Sequence, residues 1–238
     1  GARKWVQFTG GTGNYYIGGN FTVKNFTPFS EAGVGNTQVY LHNVYAGGSD
    51  TCGTFYCYNG EIAACSFNGN FKLIADSAQG YTLNNNSFLG ADNLFQALAF
   101  NAYDNRFGKT GEGTSILRST NNTTSHVFTR FGNNKYFGNA QLETYAAMPG
   151  GVTIQQNYYG KDSCLGNFNY ILKGNAALVT NENGISYVAG NVVIDGQGAR
   201  KWVQFTGGTG NYYIGGNFTA KNFTPFSEPG VGNTNVLL

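Results

Sequence analysis

The feature that most constrains this chain is a long internal repeat. Residues 1–41 recur as residues 198–238, at an offset of 197 positions. Only four of the 41 pairs differ, namely Val23/Ala220, Ala32/Pro229, Gln38/Asn235 and Tyr40/Leu237. We therefore interpret residues 1–197 as one complete repeat unit and residues 198–238 as the start of the next. The expectation is a segment of a longer array; the alternatives are a fragment cut to include an overlap, or a discrete protein with a duplicated end.

Composition favours a β-rich fold with many turns. The 238 residues include 36 Gly, 19 Phe and 16 Tyr, while charged residues make up only 11%. Aromatic residues favour strands and glycine favours turns. A formal net charge of +2 does not provide the dense basic surface that nucleic acid requires, so no such partner is predicted. No apolar run reaches the roughly 18 residues of a membrane span, so none is predicted in this segment.

A shorter period lies inside the unit. Asparagine, followed within one or two positions by an aromatic or β-branched residue, recurs about every 25 residues. The nine asparagines are Asn20, Asn43, Asn70, Asn86, Asn105, Asn134, Asn157, Asn191 and Asn217. A coil of about that length with two or three short strands is typical of one rung of a parallel β-solenoid. The spacing predicts an all-β parallel β-helix with about eight irregular rungs in each 197-residue unit.

In this pattern the chain resembles the right-handed parallel β-helix proteins, the pectate-lyase-like architecture. The resemblance is one of fold, covers most of the chain, and brings no catalytic motif with it. It implies that the nine asparagines stack at one corner of successive rungs while aromatic side chains stack inside. An amide side chain carries two donor hydrogens and an acceptor oxygen, so a column of asparagines can be hydrogen-bonded from rung to rung. We therefore predict a structural asparagine ladder.

Helical structure is expected at most in two short segments. These are 93–100 (NLFQALAF) and 141–148 (QLETYAAM), each with room for one or two helical turns. Elsewhere Gly, Asn and β-branched residues interrupt any helical periodicity. No low-complexity linker divides the chain, so we expect one continuous solenoid with the second copy of the repeat stacked on the first.

Catalysis is the main competing hypothesis, because many β-helix proteins cleave polysaccharides. Glycoside hydrolysis requires two carboxylates at a set separation. The best candidate cleft combines Asp92 and Asp104 with Arg106, Lys109 and Glu112, but the paired-acid motif of such hydrolases is absent. Clustered Cys and His spacings for zinc, and Asp-x-Asp loops for calcium, are absent as well. We predict no enzyme activity, no metal site and no cofactor.

The four cysteines leave two possibilities open. If the protein is exported, Cys52–Cys57 and Cys57–Cys65 are candidate disulfides, and Cys164 is remote in sequence. The alternative is a set of buried thiols stacked in the core. A unit of 197 residues is large enough to build a core without disulfides, so their presence would indicate the compartment more than the source of stability.

Glycosylation sequons are frequent, as expected in an asparagine-rich chain. The Asn121-Asn122-Thr-Thr segment is predicted to be the most exposed acceptor, and Asn25 and Asn222 are further candidates.

Together these features favour a structural role at the cell surface or outside the cell. We expect a tandem-repeat solenoid that forms an extracellular filament or an adhesin stalk, with neighbouring repeats or subunits as partners and surface glycans as a further candidate. The alternative is a carbohydrate-active or carbohydrate-binding β-helix, because pairs such as Tyr15-Tyr16 and Tyr212-Tyr213 must place one ring outward. An ice-binding solenoid is disfavoured by the irregular rung lengths.

Overall fold

The structure is a computed structural model made almost entirely of short strands and turns. It describes residues 5–8, 15–19, 21–23, 38–48, 51–57, 59–75, 80–121, 125–145, 151–156, 158, 160–174, 176–180, 186–197, 201–204, 212–221 and 235–237. These residues form 28 strands and no helix. The strands are β1 (Trp5–Phe8), β2 (Tyr15–Ile17), β3 (Phe21–Val23), β4 (Gln38–His42), β5 (Val44–Ala46), β6 (Thr51–Cys57), β7 (Asn59–Ala63), β8 (Ser66–Phe67), β9 (Asn70–Ala75), β10 (Tyr81–Asn84), β11 (Ser87–Phe88), β12 (Asn93–Ala97), β13 (Phe100–Tyr103), β14 (Arg106–Phe107), β15 (Thr114–Ser119), β16 (Val127–Gly132), β17 (Lys135–Tyr136), β18 (Asn139–Tyr145), β19 (Val152–Gln156), β20 (Ser163–Cys164), β21 (Phe168–Lys173), β22 (Ala176–Thr180), β23 (Ser186–Val188), β24 (Val192–Asp195), β25 (Lys201–Gln204), β26 (Tyr212–Ile214), β27 (Phe218–Lys221) and β28 (Asn235–Leu237).

Every third strand belongs to the same sheet. Sheet 1 has ten strands in the order β1-β4-β7-β10-β13-β16-β19-β22-β25-β28. Sheet 2 has nine, β2-β5-β8-β11-β14-β17-β20-β23-β26, and sheet 3 has nine, from β3 and β6 through to β27. Neighbouring strands within each sheet are parallel. Each coil of the chain thus adds one strand to each sheet, which is a parallel β-solenoid, as predicted. Eight successive pairings carry sheet 1 from β1 to β25.

The interior is filled by the inward-facing half of each strand. Strand β9 shows the alternation, with buried and half-buried residues in strict succession, because successive side chains point to opposite faces. Along sheet 2 the inward rings of Phe67, Phe88, Phe107 and Tyr136 stack from rung to rung, with centroids 5.7, 5.5 and 5.2 Å apart. Parallel in-register strands put equivalent side chains directly above one another, so one aromatic per rung builds a continuous column.

The described parts of the two segments with helix-like spacing, 93–100 and 141–145, contain strands and no helix, so the expectation of helical turns was wrong there. Residues 146–148 of the second segment lie outside the described residues. Residues 93–97 form β12 and residues 139–145 form β18, both in sheet 3. In β12, Phe95 points into the core while Leu94 and Gln96 are half-buried on the outer face. Backbone pairing with a strand on each side overrides the weak local preference for helix.

The two copies of the repeat form the same elements. Strands β25 to β28 of the second copy correspond to β1 to β4 of the first. Trp5 pairs with Gln38 in the first copy, and the equivalent Trp202 pairs with Asn235 in the second. The second copy stacks on β22, β23 and β24 in all three sheets, so the solenoid continues across the boundary at 197/198.

Candidate functional site

The corner that leads into sheet 2 contains a buried column of amide side chains. Asn86, Asn105 and Asn134 occupy equivalent positions on three successive rungs and are buried. Nδ2 of Asn86 donates to Oδ1 of Asn105 at 2.9 Å, and Nδ2 of Asn105 donates to Oδ1 of Asn134 at 3.0 Å. Each acceptor oxygen also receives a backbone N–H from the rung before it, at 3.1 Å in both cases.

The second hydrogen of each of these amides is also bonded. Nδ2 of Asn86 donates to the carbonyl of Ile62 at 2.7 Å, and Nδ2 of Asn105 donates to that of Leu83 at 2.9 Å. Each side chain therefore ties a rung to the rung before it and the rung after it. This satisfies buried polar groups at a corner where the regular sheet hydrogen bonds are interrupted.

The column ends in residues other than asparagine. At one end the backbone N–H of Cys65 donates to Oδ1 of Asn86 at 2.9 Å, and Cys65 Sγ accepts from the N–H of Val44 at 3.4 Å. At the other, the N–H of Asn134 donates to Oδ1 of Asp162 at 2.8 Å. Burial raises the pKa of the Cys65 thiol to about 11, so the thiol is protonated and unreactive near neutral pH.

A row of left-handed residues precedes this column. Asn43, Ala64, Asn85, Asp104 and Asn133 have φ between 53° and 59°. The chain turns sharply from sheet 1 into sheet 2 here, and Asn and Asp tolerate this conformation better than other non-glycine residues. The sharp turn also points the next side chain inward, which is why the column and this row lie one residue apart.

The corner that leads into sheet 3 carries a second, more exposed column. Oδ1 of Asn139 accepts the N–H of Asn167, Oδ1 of Asn167 accepts that of Asn191, and Oδ1 of Asn191 accepts that of Asn217, at 2.8–2.9 Å. Earlier along the solenoid, Oδ1 of Asp92 accepts the N–H of Thr114 at 3.0 Å in the same way. Here the side-chain oxygens supply most of the side-chain links between adjacent rungs, and Nδ2 of Asn139 adds another by donating to the carbonyl of Gly113 at 3.1 Å.

The predicted ladder of nine asparagines is therefore distributed over three rows. Asn86, Asn105 and Asn134 lie in the buried column, Asn70, Asn191 and Asn217 in the exposed column, and Asn43 in the left-handed row. Asn20 and Asn157 lie outside the described residues. A single column was wrong because two corners of each rung, not one, use a side-chain oxygen to replace a missing backbone partner.

The prediction also missed members of both columns, chiefly Asn139, Asn167, Asp92 and Asp162. A sequence signal for the two corners exists. Doublets such as Asn85-Asn86, Asp104-Asn105 and Asn133-Asn134 mark the buried corner, whereas Gly-Asn pairs such as 138–139, 166–167, 190–191 and 216–217 mark the exposed one.

The boundary between the repeat units is held by these same interactions. Asn217, in the second copy, continues the exposed column above Asn191. Nζ of Lys221 lies 3.7 Å from Oδ2 of Asp195, so an ion pair also spans the boundary. All three sheets run through it in unbroken register. The boundary is an ordinary rung-to-rung interface.

The outer face of sheet 2 is aromatic near the repeat boundary. The register places Tyr187 beside Tyr213, and Tyr16, the first-copy equivalent of Tyr213, beside Tyr45. The ring of Tyr16 is 77% exposed and stacks on that of Tyr45 at 5.2 Å with an interplanar angle of 20°. Tyr187 and Tyr213 are also exposed, at 47% and 52%.

The centre of the same face is basic. Arg106 and Lys135 are exposed and occupy paired positions on β14 and β17. The guanidinium of Arg106 lies over the ring of Phe137 at 5.1 Å.

The candidate catalytic cleft does not assemble as the sequence suggested. Asp92 lies in the exposed column before sheet 3, whereas Asp104 lies in the left-handed row before sheet 2, where Nδ2 of Asn133 donates to its carboxylate. Lys109 and Glu112 form an exposed ion pair with each other at 3.0 Å. Two aspartates on different corners have no shared space in which to act on one bond.

The most buried acid on an outer face is already paired. Glu143 Oε2 accepts from Arg118 Nε at 2.6 Å on the outer face of sheet 3. Oε1 of the same carboxylate accepts from Gln141, and Arg118 also donates to Gln96 at 3.3 Å. The ring of Tyr145 lies 4.9 Å from the guanidinium carbon. This cluster neutralises its own charge.

Neither candidate disulfide matches the fold. Cys65 is a free, buried thiol in the corner before sheet 2, whereas Cys57 ends β6 in sheet 3, so the Cys57–Cys65 pairing is not formed. Cys52 and Cys57 lie on the same extended strand. Five residues of strand span roughly 16 Å, beyond the Cα separation of about 7 Å that a disulfide can bridge. Cys164 is also free and buried, so the alternative of buried thiols holds for these two described cysteines.

The leading glycosylation candidate is also corrected. Asn121 is buried, and its Nδ2 donates to the carbonyls of Ser125 at 2.8 Å and Gly151 at 2.9 Å. That nitrogen cannot carry a glycan in this structure. Asn25, Asn122 and Asn222 lie outside the described residues.

Comparison with known proteins does not assign the chain to a family. No family model, no curated protein and no solved structure matches it. Among the described residues, no group of three or more His, Cys, Asp or Glu side chains is placed to hold a metal ion. The same part of the chain contains no helix long and apolar enough to cross a membrane.

Proposed function

We propose that this chain is part of a structural protein, a tandem-repeat β-solenoid that builds an extracellular filament or an adhesin stalk. Its function is then mechanical, and its principal partner is the next repeat of the same sequence. The protein acts without a catalytic site, a metal or a cofactor.

The observation that carries this proposal is the continuity across the repeat boundary. The second copy of the repeat adopts the strands and register of the first and stacks on the end of the unit without a break. A structure whose last rungs repeat its first can be extended by any number of units with the same interface. Such open-ended repetition is the property of a fibre.

The direction of the hydrogen bonds also supports this proposal. Parallel backbone hydrogen bonds run along the axis in three sheets, and the two asparagine columns add side-chain bonds in the same direction. The aromatic column of sheet 2 fills the interior between them. A pull along the axis must therefore break several hydrogen bonds of one rung together, while each rung contacts only its neighbours.

The test is the denatured mass of the protein isolated from its natural source. We expect a mass well above 25.6 kDa that corresponds to several whole 197-residue units. Limited proteolysis should then produce a ladder of fragments spaced by one unit. A native mass of 25.6 kDa, with no end-to-end assembly in electron micrographs, would contradict the proposal.

A carbohydrate-binding β-helix is the second candidate, favoured by the outer face of sheet 2. Exposed tyrosines and the Arg106–Lys135 pair lie on one side of the solenoid. This candidate predicts binding to surface polysaccharides that the double variant Tyr187→Ala and Tyr213→Ala weakens at least tenfold, measured by titration calorimetry. The matched control is Phe128→Ala, which removes an exposed ring from sheet 1.

A further inference from the structure

We propose that the edge formed by β22, β23 and β24 is a binding site for the first copy of the repeat from a second chain. In this chain that edge is covered by β25, β26 and β27 of the second copy. We call it the receptor edge. The inference rests on the proposed function and names the interface that builds the fibre. The receptor edge of one molecule can be covered by its own residues 198–238 or by residues 1–41 of a second molecule.

The first argument is that the contacting residues are the same in both copies. The second copy binds the receptor edge through β25, β26 and β27 and through the turn that joins the last two. Of the four positions that differ between the copies, only Val23/Ala220 lies on these three strands. In the second copy, hydrogen bonds or an ion pair to the edge are formed by Gly215, Gly216, Asn217 and Lys221. Their first-copy equivalents are the same residue types, Gly18, Gly19, Asn20 and Lys24.

The second argument comes from two consecutive glycines. In the second copy, Gly215 and Gly216 press against the receptor edge so closely that no larger residue fits. A Cβ on Gly215 would lie 2.4 Å from the carbonyl oxygen of Ala189, and one on Gly216 would lie 2.5 Å from Oδ1 of Asn191. Their N–H groups donate to carbonyl oxygens of the edge at 2.8 and 3.0 Å. Here glycine is required by close backbone approach.

In the first copy the same glycines have no such reason to be glycine. Among the described residues, no atom lies within 4 Å of a Cβ placed on Gly18 or on Gly19. Neither residue has a φ in the left-handed region that favours glycine. Half-buried Ile17 and Phe21 on either side pack against the core. The first copy is thus shaped to sit on a rung like 188–191, and the receptor edge of another unit is such a rung.

In an unmodified chain the tethered second copy should occupy the site. A covalently linked segment has a far higher effective concentration than a free molecule. The 238-residue chain is therefore expected to be a monomer at low protein concentration. If its own second copy is prevented from seating, the receptor edge is vacated and the first copy of another molecule can take its place.

The experiment exploits the duplicated sequence. Gly215→Ala with Gly216→Ala introduces two Cβ atoms that clash with the receptor edge in the second copy only. We expect this variant to form concentration-dependent head-to-tail oligomers in sedimentation velocity experiments. Gly18→Ala with Gly19→Ala, the matched control, should remain a monomer with the Tm of the parent chain, because no atom of the described residues lies within 4 Å of a Cβ at these positions. The chain with all four substitutions should also be a monomer.

Two outcomes would overturn the proposal. One is a folded Gly215→Ala/Gly216→Ala variant that stays monomeric at every concentration. The other is oligomers that persist in the fourfold variant, since these would not use Gly18 and Gly19. If circular dichroism shows that the double variant loses its strands, the single variant Gly215→Ala replaces it. That change sets a Cβ 2.4 Å from the carbonyl oxygen of Ala189 in the second copy alone, and a folded Gly215→Ala chain that stays monomeric would equally reject the proposal.

The result is independent of the test of the proposed function. If the native protein contains many units and the glycine variants are monomeric, the proposed fibre stands and the binding of a second chain at the receptor edge is rejected. A native mass of one chain, together with oligomers in the glycine variant, would reject the covalent array and establish assembly by stacking.

Discussion

The two asparagine columns use the same side chain in different surroundings. In the buried column, Asn105 has its oxygen and both amide hydrogens bonded to protein groups. In the exposed column, Asn191 uses its oxygen to accept one N–H from the next rung. The amide of the first is sealed from water, whereas the second lies at the surface. One column is a buried network, whereas the other is linked mainly by single bonds to side-chain oxygens, with Asn139 as the member that also donates to the rung before it.

The difference teaches that burial, and not the type of residue, determines how much each hydrogen-bonded asparagine contributes to the free energy of unfolding. A buried polar group that loses its partner retains the full cost of desolvation, whereas water replaces the partner of an exposed group.

The largest effect is expected for Asn105→Ala. The substitution leaves the N–H and Nδ2 of Asn86 without their acceptor and removes the bond to Leu83. With several buried groups unpaired, we expect a loss of about 3–5 kcal/mol. Urea unfolding followed by far-ultraviolet circular dichroism measures it. A loss under about 1 kcal/mol would mean that water enters this corner and that the contrast with the exposed column is wrong.

The next effect concerns alkaline pH. Burial raises the pKa of Cys65 and of Cys164 from 9.0 to about 11 each. Because the folded pKa is above the unfolded one, the stability that these thiols contribute is complete below pH 9.0 and is lost as pH rises towards 11. Each thiol is expected to cost about 2–3 kcal/mol over that window.

The control for the alkaline effect is a chain with Cys65→Ala and Cys164→Ala. Its free energy of unfolding should fall less steeply between pH 9 and pH 11, as measured by urea titrations at each pH. Equal slopes for the two chains would show that these thiols ionise as readily in the folded protein as in the unfolded one.

A smaller effect is expected for Asn191→Ala. Its Oδ1 accepts the N–H of Asn217 at 2.8 Å at a position open to solvent. Since water can replace that acceptor, the expected loss is about 0.5–1.5 kcal/mol. The informative quantity is the ratio to Asn105→Ala under identical conditions. A cost equal to that of Asn105→Ala would remove the distinction between the columns.

The smallest effect is a gain in stability. Ala64 has φ of 54° in the left-handed row, where its neighbours are Asn43 and Asn85. Alanine is strained in this region and asparagine is less so. We therefore expect Ala64→Asn to stabilise the protein by about 0.5–1 kcal/mol, measured as an increase in Tm. Ala63→Asn, one residue earlier on β7, is the control and should not stabilise it.

Much of the fold could be predicted from the sequence because a solenoid is periodic. The recurrence of asparagine with an aromatic or β-branched residue predicts the rung length, and parallel strands follow from stacking such rungs. The prediction of helical turns was wrong because the segment with Phe95 is hydrogen-bonded between two neighbouring strands of the solenoid. No local pattern records that constraint.

The site was less predictable, because the two corners use similar residues. A single list of asparagines mixed Asn86 with Asn191, which lie on different corners. Asn121 looked like an exposed sequon and is instead a buried donor to two carbonyls. In both cases a buried and an exposed asparagine have the same side chain, so the sequence alone does not distinguish them.

The sequence by itself determined that the chain is built from a repeated unit of short strands, because periodicity and near-identity are properties of the sequence alone. It also determined that the second copy would adopt the elements of the first. Only the tertiary structure decided which amides are sealed from water and which glycines bear on a neighbouring rung. The physical reason is that burial and close approach depend on the neighbouring coil, which lies 19 residues away in the chain at Asn86 and 26 residues away at Asn217.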